Sequence, residues 1–336
     1  VSYENPVVIN DSLFIACKKS YNHPLKFVAV SYGKERVVHT PGNYDDNSLN
    51  RHNSTLIWAE KRRHPRWQYL DYSEIILFDI QKKKRKRLRR KTRWFAPTFS
   101  PAGDKIAVIE YAKNNVPSLV VLSIKGKEIQ RFSFAEGQVF HPNWYTKDSI
   151  VISRLNGDEN YLEILKLSDS TSIRSKSFSI PLSYPTKYKN GFLVQTLNSN
   201  KDCIAFFQFK NRGELREVVN PEFGLKFFSL DYLQENVVYS DYHSKGFKVV
   251  KSEIEIGNKI PSDWSRILKD LAVPKRQFEV SKFRPILHLF NFHSWAPFSV
   301  NPNDETANLG ASIFSQNLLG SSNLSLNYDY FGYTKS

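Results

Sequence analysis

The sequence lacks several features that would assign it to a familiar class of protein. It contains no methionine and has two cysteines, Cys17 and Cys203, among 336 residues. Two cysteines are too few for a disulfide scaffold, so we expect both to be free, buried thiols. No stretch approaches the roughly 18 apolar residues of a membrane-spanning helix. Because the chain opens with neither an initiator methionine nor a signal peptide, we expect it to be part of a longer protein.

Motifs of common enzyme classes are also missing. We find no His-Glu-x-x-His, no Gly-x-Ser-x-Gly and no glycine-rich phosphate loop. His64 and His141 each precede a proline, and a structural hydrogen bond is the expected role of both. The Asn/Asp-rich stretches 43–50 and 301–308 offer oxygen atoms for calcium, but they lack the spacing of a calcium loop and suit ordinary turns. We therefore predict no catalysis, no metal and no cofactor.

The positive charge is concentrated in one stretch. The net charge is +15, and residues 82–93 (KKKRKRLRRKTR) hold ten basic residues and no acid. A solvated edge strand explains such a run, because lysine and arginine prevent pairing between sheet edges. Binding to a polyanion is the functional alternative. Its candidate contacts are Lys82, Lys83, Lys84, Arg85, Lys86 and Arg87.

Apolar strands recur at an almost constant interval. They are SLFIACKK (12–19), TLIWAEKR (55–62), KIAVIEYA (105–112), SIVISRLN (149–156), GFLVQTLN (191–198) and NVVYSDYH (236–243). Steps of about 40 to 50 residues match the period of a four-stranded propeller blade. Shorter lead-in strands precede them, several with a proline (Pro97, Pro142, Pro185), as expected where a missing N–H costs little.

This pattern predicts an all-β, six-bladed β-propeller over residues 1–257, with the six apolar strands nearest the axis. Blades have two apolar faces and bury both only by stacking around an axis. An irregular β-sandwich is the alternative, but sandwiches seldom keep a lead-in strand at constant offset.

The turn in SPAGDKIAVIE (100–110) resembles the Ser-Pro-Asp-Gly-Lys-x-Ile-Ala turn of TolB-like (WD40-like, PD40) propellers, with Ala102 and Asp104 departing from it. Residues 58–75 and 239–247 extend the likeness. Together they resemble the propeller of large Bacteroidetes outer-membrane proteins, in which the propeller precedes a β-barrel. The resemblance implies a bacterial cell-envelope, outer-membrane location, and some relatives carry an upstream peptidase domain.

The remaining sequence differs in character. Residues 260–277 predict one short amphipathic helix within a connector, 258–283, with Ser262 as N-cap. In 284–336, apolar and polar residues alternate, as in Leu309, Ala311 and Ile313. Soluble hairpins also alternate, but the resemblance favours the first strands of a truncated outer-membrane barrel.

The function that follows is a non-catalytic binding or gating module for a protein or peptide at the outer membrane. The first alternative is a propeller that screens substrates for an upstream metallopeptidase domain. The second is binding to anionic lipid or lipopolysaccharide through residues 82–93; nucleic acid is not expected, because no aromatic residues interleave the run. The candidate ligand contacts are His64, Arg66, Trp67, Tyr69, Asp241, His243 and Lys245.

Overall fold

The computed structural model describes residues 1–46, 48–64, 71–112, 114–209, 213–261, 284, 290–301, 306–317 and 322–330. Their regular secondary structure is entirely β-strand, and none of these residues belongs to a helix able to cross a membrane. The chain divides into two compact units, Val1–Leu271 and Ala272–Ser336. The predicted helix within 260–277 falls mostly outside the described residues.

The first unit contains six antiparallel sheets, each built from strands that follow one another in the chain. The first sheet is β1 (Ser2–Asn10), β2 (Leu13–Ser20), β3 (His23–Ser31) and β4 (Lys34–His39); the second is β5 (Asn50–His52), β6 (Thr55–Arg63), β7 (Asp71–Asp79) and β8 (Lys84–Arg87); the third is β9 (Trp94–Phe99), β10 (Lys105–Tyr111), β11 (Pro117–Ser123) and β12 (Glu128–Ser133). The fourth is β13 (Gln138–Thr146), β14 (Ser149–Asn156), β15 (Glu159–Lys166) and β16 (Ser172–Arg174); the fifth is β17 (Ser183–Tyr188), β18 (Gly191–Asn198), β19 (Lys201–Phe207) and β20 (Leu215–Val219); the sixth is β21 (Leu225–Leu230), β22 (Asn236–His243) and β23 (Gly246–Glu253). The prediction of an all-β chain with repeated four-stranded antiparallel sheets is confirmed.

Apolar side chains fill the interfaces between consecutive sheets. Between the first two sheets, Phe27 meets Trp58 edge to face, with ring centroids 5.1 Å apart. Comparable clusters join the second sheet to the third, the third to the fourth, the fourth to the fifth and the fifth to the sixth. Where a strand is covered on both faces it is apolar at almost every position, as in β11, whereas β23 in the sixth sheet has no buried residue.

The sixth sheet packs against the first. Strand β1 contacts β21, β22 and β23, and the backbone N–H of Phe247 donates to Ser2 Oγ at 3.2 Å. In the described part of the chain, no strand is shared between these two sheets. The ring of sheets therefore closes by packing, without a ladder of backbone hydrogen bonds across the junction.

The chain returns to the fifth sheet after β23. The N–H of Ile260 donates to the carbonyl of Leu215 at 2.9 Å, and the N–H of Glu217 donates to the carbonyl of Asn258 at 2.8 Å. Ile260 is buried in the core between the fourth and fifth sheets. The boundary that the sequence places between 257 and 258 stays a prediction.

The lead-in strands, and not the six apolar strands, lie nearest the axis. A cavity of about 260 Å³ is lined by residues of β1, β9, β13, β17 and β21 and by residues 48–51 around β5. The expectation for the apolar strands was wrong, because those strands occupy the second position of every sheet, where both neighbours cover them. The innermost position goes to the short strands, whose inner edge has no strand to pair with.

Most of these inner strands carry the same bulge. In β1, β9, β13 and β17, two consecutive residues, the second a proline, face one residue of the neighbouring strand, and β21 has a related shift in register. The first bulge residue has a positive φ in each strand: Asn5 (52°), Ala96 (47°), His141 (47°), Tyr184 (53°) and Phe227 (48°). A bulge leaves its extra residue outside the ladder and redirects its side chain, so proline costs no hydrogen bond there.

We predict that Ala96→Gly leaves the free energy of unfolding unchanged or raises it by up to about 1 kcal/mol. A left-handed conformation costs an L-residue about 1–2 kcal/mol, which outweighs the added flexibility of glycine. The matched substitution Ala107→Gly, in a buried strand of the same sheet, should lower it by about 1 kcal/mol or more. Denaturant unfolding measures both, and equal losses would show that the bulge stores no strain.

The second unit contains one antiparallel sheet of three strands, β24 (Phe292–Asn301), β25 (Thr306–Gln316) and β26 (Asn323–Asp329). Trp295 pairs with Ile313, which pairs with Leu326, so apolar side chains form a row across the sheet. Their exposed fractions are 72%, 42% and 53%, whereas Ser312 and Ser315 are buried. Ser294, Ser325 and Asn327 are exposed as well, so exposed polar and apolar side chains share this sheet and the apolar row is open to solvent.

Candidate ligand site at the mouth of the propeller

The inner strands all begin at one face of the first unit, which we call the top face. Because neighbouring strands are antiparallel, the turns between second and third strands lie at this face, together with the crossings from sheet to sheet. A cavity of about 500 Å³, the top cavity, opens here among the second, third and fourth sheets. It adjoins the axial cavity, since Ser48, Ala96 and His141 line both.

The top cavity has an apolar floor. Phe95, Ile109, Val139 and Phe140 line it, and the Tyr111 hydroxyl donates to the carbonyl of Val139 at 3.0 Å. That hydrogen bond ties the third sheet to the fourth across the cavity wall. The floor is therefore a fixed surface whose apolar side chains come from two sheets.

The charged side chains of the rim differ in whether they are neutralised. Asp45 pairs with Lys61 at 2.8 Å and Asp46 with Lys19 at 3.0 Å. Arg93 also lines the cavity, and its Nη1 donates to the carbonyl of Ala112 at 3.5 Å. Within the described part of the chain, no carboxylate pairs with Arg93. Arg93 is therefore the rim charge that lacks an ion-pair partner among the described residues.

His141 lies where the two cavities meet. Its ring stacks near Tyr184, with centroids 4.0 Å apart, and Tyr184 in turn meets Phe227 at 5.4 Å, so three bulge residues form an aromatic arc along the axis. The Nδ1 atom is buried without a hydrogen-bond partner among the described residues, and burial lowers the pKa of the imidazole to about 4. A neutral ring at pH 7 can donate or accept one hydrogen bond from a ligand.

We predict that His141 makes the protein less stable in mild acid. Its folded pKa of about 4 lies below the ordinary value of 6.5, so only the unfolded chain takes up the proton as the pH falls between these values. The free energy of unfolding should thus fall by about 2–3 kcal/mol over that window, since each pKa unit is worth about 1.4 kcal/mol. Above pH 6.5 the contribution is complete.

The variant His141→Asn keeps a residue that tolerates positive φ and removes the titrating group. Urea unfolding at pH 7 and at about pH 4 gives the decrease in the free energy of unfolding for each protein. The decrease in the wild type minus the decrease in the variant is the contribution of His141, because His39, whose pKa burial also lowers, is present in both proteins. Parallel curves for the two proteins would contradict the assignment.

The four described candidate contacts, His64, Asp241, His243 and Lys245, lie at the top face and line neither cavity. His64 follows β6, and its ring lies 6.2 Å from that of Tyr72. In the β22–β23 hairpin His243 Nε2 lies 3.0 Å from Asp241 Oδ2, and Lys245 sits in the turn. Arg66, Trp67 and Tyr69 fall outside the described residues. That any of these side chains contacts a ligand stays a prediction.

The basic run contains both paired and exposed residues. Arg85 Nη2 lies 2.8 Å from Glu60 Oε2, and Arg87 Nε lies 3.2 Å from Glu74 Oε2, with both carboxylates buried. Burial acts to raise the pKa of Glu60, but hydrogen bonds from Gly42 N–H and Trp58 Nε1 and two arginine charges outweigh it, so the pKa is lowered. Most of the run is exposed, including the paired Arg85: the exposed residues are Lys82, Lys83, Lys84, Arg85, Lys86, Arg89, Arg90 and Lys91. Part of the run therefore holds edge strand β8 in place.

We predict that Arg85→Gln lowers the free energy of unfolding by about 1–3 kcal/mol, because it removes one of the two arginine partners of the fully buried Glu60 carboxylate, the other being Arg62 at 3.0 Å. Lys84→Gln, the adjacent exposed residue of the same strand, should change it by less than about 0.5 kcal/mol. Thermal and urea unfolding measure both. Equal effects would mean that Arg85 is as solvated as Lys84.

The described residues hold no cluster of three or more His, Cys, Asp or Glu side chains that could bind a metal ion. Cys17 and Cys203 are both buried and free, as predicted, and burial raises the pKa of each thiol to about 12. Thiols of this kind are poor nucleophiles at neutral pH.

Neither a family model nor a curated protein sequence matches this chain. Solved structures do. The β-propeller domain of the Trilobed protease from Pyrococcus furiosus, described as having an open velcro topology, aligns with a TM-score of 0.50 and 9% identity over 76% of this chain and 98% of that chain. An oligogalacturonate lyase in complex with manganese aligns with a TM-score of 0.52 and 12% identity over 75% and 76%.

TolB from Acinetobacter baumannii aligns with a TM-score of 0.50 and 12% identity, over 96% of this chain and 78% of that chain. Identities this low establish the fold alone, since propellers carry unrelated activities. The chain is thus similar in fold to TolB and to other β-propeller proteins.

Proposed function

We propose that the first unit is a six-bladed propeller that binds an extended segment of a protein or peptide at its top face, without catalysing a reaction. The observation that carries this proposal is the pair of adjoining cavities, one axial and one lateral, with an apolar floor and a mixed polar rim. Ligand sites of this size are mostly apolar with a few converging polar groups.

The backbone of the inner strands favours a peptide. Each inner strand pairs with one neighbour, so its other edge faces the axial cavity. Extended peptides bind such edges through main-chain hydrogen bonds, while pockets beside the edge select side chains. The top cavity is such a pocket, placed beside the bulges of β9 and β13.

We predict that a bulky residue at the rim blocks binding. Peptides selected from a random dodecapeptide library on the wild-type protein should bind Gln138→Trp at least about tenfold more weakly, because Gln138 lines the top cavity. Lys127→Trp, in the exposed β11–β12 turn at the opposite face, should bind them normally. Unchanged binding to Gln138→Trp would place the ligand site elsewhere.

The alternative of a propeller that screens substrates for an upstream metallopeptidase domain uses the same cavities. The two proposals differ in whether the longer protein contains a peptidase domain, and not in the geometry of this unit. A His-Glu-x-x-His motif before Val1 in the full-length protein would favour it.

For the second unit we propose contact with lipid hydrocarbon, as the first strands of an outer-membrane barrel in a bacterial cell envelope. What supports this is the row of exposed apolar side chains that crosses the sheet. Strands that cross an outer membrane present apolar side chains to lipid, and an exposed contiguous apolar face in water marks an interaction surface.

We predict that the chain floats with phosphatidylcholine vesicles at high salt, where interactions of surface charge are screened. Leu309→Asn with Leu326→Asn should abolish flotation, because these side chains are 76% and 53% exposed on the apolar face. Ile129→Asn with Ile173→Asn, also exposed but in the first unit, should not. Flotation that requires anionic vesicles, falls with salt and is lost on changing Lys82, Lys83, Lys84 and Lys86 to Gln would support the polyanion alternative instead.

A further inference from the structure

We propose that the top cavity recognises the carboxyl terminus of its ligand, with Arg93 binding the terminal carboxylate and the apolar floor holding the last side chain. This inference rests on the proposed peptide-binding function and specifies the end of the peptide that enters. The fold alone does not require recognition of a carboxyl terminus, so the argument for it comes from the residues that line this cavity.

The balance of charge is the first argument. The two acids of the rim, Asp45 and Asp46, pair with Lys61 and Lys19 at 2.8 and 3.0 Å, and Lys19 also pairs with Glu4 at 3.1 Å. Arg93 has a backbone carbonyl at 3.5 Å and no acid partner among the described residues. The neighbouring acid Glu110 is already paired with Arg131, at 2.6 Å. None of these acids reaches Arg93, so a carboxylate of the ligand would supply the partner that Arg93 lacks among the described residues.

The shape of the donor group is the second argument. A guanidinium presents parallel N–H groups that match the two oxygens of a carboxylate, and such bidentate pairs are among the strongest hydrogen bonds in proteins. His141 also lines the cavity, with an Nδ1 that is buried and unpartnered among the described residues, and its neutral ring can donate to or accept from the peptide group that precedes the terminus.

The neighbourhood of Arg93 selects the kind of anion. Phe95 lies two residues further along the chain, and Ile109, Val139 and Phe140 complete the floor. At a peptide terminus, the carboxylate and the last side chain share one α-carbon, so an anion and an apolar group arrive side by side. A phosphate or a sulfated sugar would place polar oxygens against this floor, which costs free energy. The cavity thus fits a terminal residue with an aliphatic or aromatic side chain.

The test compares two forms of one probe, N-terminally labelled Ala-Ala-Phe with a free carboxylate and with a carboxamide. Fluorescence polarisation gives both dissociation constants for the intact chain. The free acid should bind at least about tenfold more tightly, as expected for a charge-assisted pair against a neutral one. Equal binding of the two forms would overturn the proposal.

Arg93→Gln should remove the preference for the acid while leaving amide binding unchanged. Arg90→Gln, an exposed residue of the same basic run with the same change of charge, should keep it. Arg93→Lys retains the charge without the planar fork and should keep part of the preference. If Arg93→Gln retains the full preference while folded by circular dichroism, Arg93 does not bind the carboxylate.

Failure of this proposal and failure of the binding function give different results. If library-selected peptides still bind and lose affinity in Gln138→Trp, but the free acid of the probe has no advantage, only the recognition of the terminus is wrong. If those peptides also bind Gln138→Trp as tightly as the wild type, the ligand site is not the top cavity.

Discussion

The first unit depends on one constraint: the middle strands of most of its sheets are apolar on both faces, and no sheet can bury both faces alone. Stacking between neighbours is the solution, and the clusters between consecutive sheets show how completely it is used. Once the sheets stack around an axis, one edge of every sheet must face that axis. Short, bulged strands occupy this position, and the space they leave becomes the axial cavity.

The regular spacing of apolar strands was sufficient to predict the sheets, because burial on both faces leaves a strong mark on sequence. The spacing does not identify the innermost strand, because a strand that is covered by two neighbours has the same apolar sequence wherever the axis lies. The prolines of the lead-in strands narrow the choice of innermost strand. Pro97, Pro142 and Pro185 mark strands with a free edge, and a free edge in a ring of sheets lies at the centre or at the rim.

The candidate site was harder to predict than the fold. Its floor and rim come from residues between 45 and 141, drawn from three sheets, and no local motif joins them. The basic run illustrates the difficulty. In sequence Arg85 and Arg93 are equivalent members of it, yet Arg85 neutralises a buried glutamate and Arg93 lines a cavity without an acid partner. Which charge is already satisfied depends on contacts across strands.

The junction between the last sheet and the first has a consequence for how the ring of sheets can open. Each sheet consists of strands that are consecutive in the chain, and the junction is made by packing and by the bond from Phe247 to Ser2. Opening this junction therefore breaks side-chain packing and one hydrogen bond to Ser2, while every sheet keeps all of its described strands. The first and last sheets can separate without any sheet losing a strand, so the junction is where the ring can open at the smallest cost in backbone hydrogen bonds.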